Sequence, residues 1–157
     1  MRDEDAVRQS AERMAMVLTD WGFPRMPARV LMTVMTADEE LLTAAEIGDR
    51  LGVSPAAVSG AVRYLIQLGM LGREPAPGSR RDVYRLPQNA WYEVTALKGG
   101  IFKVLGDMAD DNVRALGDQS VAGRRMATMR DYFVFVEGEL PELLERWRAH
   151  KADRGLD

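Results

Sequence analysis

The stretch "LGVSPAAVSGAVRYLIQLGML", residues 51–71, decides how the chain reads. Ser54 is a good helix N-cap, and Pro55 stands at the first helical position, where its missing N–H costs nothing. Val58, Val62, Leu65 and Ile66 recur at helical spacing as a buried face, and Gly69 ends the helix. Just upstream, Thr43 and Glu46 have the spacing of a capping box, and Gly52 suits a chain reversal. Residues 43–68 are therefore predicted to form two short helices joined by a tight turn, a helix-turn-helix. The second helix has an unusual outer face. Ala56, Ala57, Ser59, Gly60 and Arg63 occupy positions where surface helices usually carry long lysines and glutamates.

Two short extended segments follow, "MLGREPA" and "DVYRLP", flanking "PGSRR". Pro77 and Gly78 are strong turn formers, so this reads as a β-hairpin with a basic tip made of Ser79, Arg80 and Arg81. A helix-turn-helix followed directly by such a hairpin is a winged helix. From Ser54 to Pro87 the arginines at 63, 73, 80, 81 and 85 stand against only Glu74 and Asp82, whereas "DEELLTAAEIGD", residues 38–49, is acidic. The whole chain has a net charge of −3, which excludes an indiscriminate polyanion binder and leaves room for a local basic surface.

Both ends of the chain read as longer helices. Val7, Ala11, Met14, Leu18 and Trp21 form an apolar seam over residues 4–20, and a second helix over 28–36 buries Leu31, Val34 and Met35. Beyond residue 89, Trp91, Val94, Leu97, Ile101, Val104 or Leu105, and Met108 trace one stripe, with Gly99 and Gly100 weakening or bending that helix. After a break at "GDQSVAG", Met126, Met129, Phe133, Val136, Leu140, Leu143 and Trp147 repeat every three or four residues as a heptad seam. "YFVFV" would also suit a strand, but its periodic surroundings favour helix, which Pro141 should kink or restart.

The expected architecture is mainly α with a small β-hairpin. Residues 27–87 form a winged-helix DNA-binding lobe, and residues 1–26 and 88–157 form a helical dimerisation lobe. A winged helix is too thin to cover so many apolar side chains, so a homodimer with intertwined terminal helices is the simplest way to bury them, a helical bundle within one chain being the alternative. Its two-fold axis would set two recognition helices about 34 Å apart, one turn of duplex DNA.

On this reading the bare helix face is a DNA-contacting face. A helix entering a groove about 12 Å wide needs small residues where it meets base edges. Ala56 or Ala57 would meet a thymine methyl, Ser59 and Arg63 a base or phosphate, and Gln67 the backbone one turn on. Ser54 and its helix terminus would hold a phosphate. Arg80 and Arg81 suit the adjacent minor groove or its phosphates. On an isolated helix, small residues more often mean helix packing; the capped turn before this one and the basic hairpin after it favour DNA.

Trp21, Phe23, Met26, Met35, Trp91, Tyr92 and Phe102 cluster in sequence near the lobe junctions and are candidates for a pocket holding a lipophilic or aromatic ligand. An enzyme is not expected. The one histidine is His150, there is no cysteine, and no phosphate-cradling loop or G-x-S-x-G elbow occurs, so neither a metal centre nor a cofactor is implied. No apolar run reaches the ~18 residues of a membrane span, and the acidic "MRDEDAVRQS" is unlike a signal peptide, which points to the cytoplasm. The rival reading is a winged helix serving as a protein-interaction module without DNA binding.

"AAEIGDRLGVSPAAVSGAVRYLIQLGML" and "REPAPGSRRDVYRL", together with "RALGD" and "MRDYFVFVEGEL", resemble the MarR family of bacterial winged-helix regulators, in particular its GbsR-like branch. The resemblance extends to actinobacterial members that control membrane-transport genes. It implies a homodimer that represses by binding a palindromic operator and is released by a small, often aromatic or lipophilic, ligand. It also places Ser54, Ala57, Ser59 and Arg63 on the recognition helix and Arg80 and Arg81 on the wing. Many members carry Asp where this chain has Ser79, orienting a wing arginine; Asp82 is the candidate substitute here.

Overall fold

A computed structural model describes residues 2–87, Glu93 and 100–156. They fall into two units, Met1–Val94 and Thr95–Asp157. The chain is mostly helical with one small antiparallel sheet.

The first unit begins with α1 (Glu4–Asp20), whose N-cap Asp3 accepts a hydrogen bond from the Ala6 amide, and continues with α2 (Arg25–Met35). Strand β1 (Leu42–Thr43) leads into α3 (Ala44–Leu51), where Thr43 and Glu46 form the predicted capping box. The turn passes through Gly52 in the left-handed conformation (φ 65°) into α4 (Pro55–Gln67), capped by Ser54. Gly48 of α3 is buried beneath this turn, and a Cβ there would stand 2.8 Å from the Val53 carbonyl oxygen, so the turn backbone lies closer to the helix than any side chain would allow. Strands β2 (Gly72–Pro75) and β3 (Asp82–Arg85) form the hairpin, and β1 pairs with the far edge of β3, giving the order β1-β3-β2. The pairing of Leu42 with Tyr84 ties the entrance of α3 to the wing.

Among the described residues the core of this unit is built of apolar side chains and Tyr84, centred on Leu31, Met32, Leu42, Ile47, Val58 and Leu65. Helix α2 supplies its middle, since six of its eleven residues are buried and it packs on α1, α3 and α4. Helix α1 contributes Ala11 and Ala15, and Arg29 of α2 donates through Nε to both Glu12 oxygens at 2.8 and 3.0 Å. Met35, expected to be buried, is exposed (37%), and in the single chain Met14 (56%) and Trp21 (89%) of the N-terminal seam are exposed as well. The close approach of α1 to α2 selects the small Ala11 and Ala15 for the contact, with Leu18 half-buried beside them, and leaves Met14 outside it.

The second unit is a pair of packed helices, α5 (Ile101–Leu116) and α6 (Val121–Arg154). Phe102 stacks on Phe133 with centroids 5.8 Å apart, and Arg130 reaches Asp110 at 2.9 Å. Helix α5 begins at Ile101, after Gly100 in the left-handed conformation (φ 62°), so no described helix runs through that glycine. "YFVFV" is helical, as its context predicts, and α6 continues through Pro141 without a break. Pro141 is exposed, so water can reach the Glu137 carbonyl that the proline leaves without an amide partner. The predicted seam is only partly covered: Phe133, Val136, Leu140 and Trp147 are half-buried, Met129 and Leu143 are exposed, and Leu144, outside the seam, is buried.

Candidate nucleic-acid interface

The outer face of α4 is open. Ser54, Ala56, Ser59, Gly60, Arg63 and Gln67 are exposed, and Ala57 is half-buried. The Ser54 hydroxyl accepts from the Ala57 amide at 3.3 Å, which fixes the helix start, and the Ser59 hydroxyl donates to the Pro55 carbonyl at 3.0 Å. The lone pairs of Ser59 stay available to an outside donor, such as the exocyclic amine of a base. Gly60 is the telling residue. It lies mid-helix, has no positive φ, and a Cβ placed on it would meet nothing within 4 Å. Nothing in the fold requires glycine there, although glycine costs a helix about 1 kcal/mol relative to alanine.

The wing divides its arginines into two groups. Arg85 pairs with Glu74 at 2.5 Å and Arg73 lies 3.7 Å from Asp82, both across the β2–β3 hairpin. Arg63, Arg80 and Arg81 have no acidic partner among the described residues and are exposed. The basic surface is thus three free guanidinium groups, one on α4 and two at the loop tip. Ser79 and Ala76 hold the tip: the Ser79 hydroxyl accepts from the Arg81 amide at 3.1 Å, and the Ala76 amide donates to the Arg81 carbonyl at 2.9 Å. Asp82 does not take the orienting part suggested for it. Its carboxylate faces Arg73 because their strands are paired, and the Ser79 hydroxyl braces the tip backbone instead.

The capping box is electrostatically tuned as well. Hydrogen bonds from the Thr43 amide (2.7 Å) and hydroxyl (2.8 Å) hold the Glu46 carboxyl below its ordinary pKa. Sequence reasoning passed over Tyr84 and read Thr43 only as a helix cap; both line a depression of about 360 Å³ together with Ala44, Ala45, Pro55, Arg81 and Asp82. Tyr84 reads in the sequence as an ordinary strand residue, and only the β1–β3 pairing brings it beside the start of α3.

Five of the seven proposed ligand-pocket residues are described. Trp21 and Met35 are exposed, and Phe23 packs edge-on against Tyr64 with centroids 5.6 Å apart. Met26 is half-buried against the first unit's core, Phe102 belongs to the second unit, and Trp91 and Tyr92 lie outside the described residues. A separate cleft of about 160 Å³ between α1, α2 and α3 is lined by Val7, Ala11, Glu12, Arg29 and Leu51 among others, none of them in the expected set. Among the described residues no group of acidic or histidine side chains could hold a metal ion, and no helix is long and apolar enough to cross a membrane.

Comparison with known proteins agrees with this geometry. Residues 21–82 match the MarR family, and residues 89–150 match the MmpR5-like MarR family transcriptional regulators. The chain is 29% identical over 148 residues to the HTH-type transcriptional regulator MmpR5 of Mycobacterium tuberculosis (strain ATCC 25618 / H37Rv), covering 94% of this chain and 90% of that protein. It is also similar to a crystal structure of a transcriptional regulator, with 28% identity and a TM-score of 0.77 over 92% of this chain and 99% of the other. These relatives are regulators and not enzymes. Residues 21–82 and 89–150, together most of the chain, are those of a MarR-family winged-helix transcriptional regulator.

Proposed function

We propose that the chain acts as a homodimer that binds a palindromic operator in double-stranded DNA, with α4 in the major groove and the wing tip over the neighbouring minor groove. The observation that carries this reading is Gly60, a mid-helix glycine with open space around it, on the same helix as the unpaired Arg63. Close approach to an outside surface accounts for the glycine, and a polyanionic surface accounts for the free arginines. Ser54, Ala56, Ala57, Ser59 and Gln67 complete the helix face, and Ser79, Arg80 and Arg81 the wing.

Dimerisation has its own support. Met14, Met16 and Val17 on α1, Trp21 just after it, Ile101, Val104 and Met108 on α5, and Val134, Phe135 and Leu143 on α6 are all exposed in the single chain. That is far more apolar surface than isolated exposed residues explain, and a second copy would cover it. We assign residues 1–26 and 88–157 to the dimerisation lobe and residues 27–87 to the DNA-binding lobe. We further assign the chain to the GbsR-like branch on "RALGD" and "MRDYFVFVEGEL", and to the cytoplasm, as a repressor released by a lipophilic or aromatic ligand.

The decisive experiment is duplex binding as salt is raised from about 50 to about 200 mM. A DNA reader loses affinity with a log–log slope near −0.9 for each phosphate neutralised. Affinity that is absent, or independent of salt, refutes the reading and leaves the protein-interaction module. A panel of fatty-acyl and phenolic compounds tests the ligand: release of bound duplex supports it, and no release by any member removes that part of the proposal.

A further inference from the structure

The depression at the base of the wing holds an unused donor. Tyr84 is only 8% exposed, yet its hydroxyl has no hydrogen-bond partner among the described residues. No fully buried side-chain nitrogen or oxygen in the described chain lacks a partner, so that hydroxyl reaches open space. The open space that Tyr84 lines is the depression whose other walls are Thr43, Ala44, Ala45, Pro55, Arg81 and Asp82. Burial, and secondarily the Asp82 charge, raise the phenol above its ordinary pKa, so at neutral pH it keeps the O–H it would donate.

The remaining polar groups of the depression are accounted for. The Thr43 hydroxyl is engaged with Glu46, and the Asp82 carboxylate has Arg73 at 3.7 Å to offset it. The available donors are therefore the Tyr84 hydroxyl and the Arg81 guanidinium. Their place in the fold selects the acceptor. One wall of the depression is Pro55, the first residue of α4, and the opposite wall is the wing. A DNA strand that runs from the groove read by α4 to the groove beneath the wing must cross between them. With one phosphate per strand for about every 3.4 Å of helix axis, a phosphodiester falls there.

We propose that the Tyr84 hydroxyl and the Arg81 guanidinium together hold one phosphodiester of the strand that crosses between recognition helix and wing. The assignment rests on the DNA-binding reading above and adds to it a neutral, register-fixing contact that the arginines alone do not supply.

The test uses the full chain and a duplex enriched by the wild-type protein from a random-sequence pool. Tyr84→Phe keeps the packed ring and removes only the hydroxyl. It should weaken binding to that duplex about threefold to tenfold, without changing the melting temperature or the salt slope. Arg81→Ala should weaken binding and flatten the slope by about 0.9. Duplexes carrying a single neutral methylphosphonate at each position in turn then locate the contact: both variants should show a reduced penalty at one and the same phosphate. Wild-type affinity in Tyr84→Phe, or penalties reduced at no common phosphate, overturns the proposal. So does a melting temperature raised by inorganic phosphate in the wild type but not in Tyr84→Phe with duplex affinity unchanged, because the acceptor is then a free anion. A wild-type chain that enriches no duplex fails earlier, at the DNA-binding reading itself, and takes this contact with it.

Discussion

Asp82 stands 3.7 Å from Arg73 on the neighbouring strand, and neither arginine at the loop tip shares it. Arg80 and Arg81 therefore present full positive charge. Replacing both by Ala should weaken binding to all duplexes alike and reduce the salt slope by about 1.8, at about 0.9 per lost phosphate contact. Anisotropy titrations of an enriched and a scrambled duplex at several salt concentrations measure both quantities.

Gly60→Ala should separate stability from function. The new methyl meets nothing within 4 Å, so the helix should gain up to about 1 kcal/mol. The same methyl stands on the face assigned to the groove, and duplex affinity should fall. Urea unfolding and anisotropy on the same sample give the two numbers; unchanged affinity would remove Gly60 from the interface.

Arg63→Ala should cost about 1–3 kcal/mol in binding to the enriched duplex and relax sequence choice, if the guanidinium reads a guanine edge. A repeat enrichment with the variant shows whether one base position loses its preference. Equal losses on every sequence would make Arg63 a phosphate contact.

The capping box carries a pH signature. The folded-state pKa of Glu46 is depressed by its bonds to Thr43, so its stabilisation is present above the ordinary glutamate range and disappears as pH falls through the folded value. Glu46→Ala should be less stable than wild type at neutral pH, and the difference should shrink in acid. Melting temperatures of both proteins across acid to neutral pH decide it, with parallel curves counting against the box.

Self-association is tested at the exposed apolar surface of α6. Phe135 is 66% exposed in the single chain. Phe135→Asp should shift the sedimentation coefficient towards the monomer while leaving the helical circular dichroism intact. A wild-type monomer at micromolar concentration would end the dimer proposal.

The winged helix was legible in the sequence because its signals are local. Ser54, Pro55, the Thr43–Glu46 box and Gly52 each act within one turn of chain, and the structure has all of them in place. Burial was less legible, since periodicity marks a face but does not say what covers it. Ala15 and not Met14 reaches the core because α1 and α2 meet closely. In the second unit, α5 is about 24 Å long and α6 about 51 Å, at 1.5 Å per residue. The shorter helix cannot reach the far end of the longer one, and Leu143 stays exposed there, whereas Met129 is exposed within the stretch that α5 accompanies. Charge was legible as a sum and not as a pattern. Strand pairing neutralises Arg73 and Arg85 and spares Arg80 and Arg81, which no composition shows. Tyr84 was missed for the same reason, because its neighbour Leu42 is far away along the chain.

The unfilled space around Gly60 bears on how such a regulator would respond to engineering. A campaign that selected only for heat tolerance would favour a larger residue at that position and reward it with a sturdier molecule. Survivors would be well-behaved proteins that had lost the ability to regulate, so a screen of this chain must score promoter occupancy and endurance together.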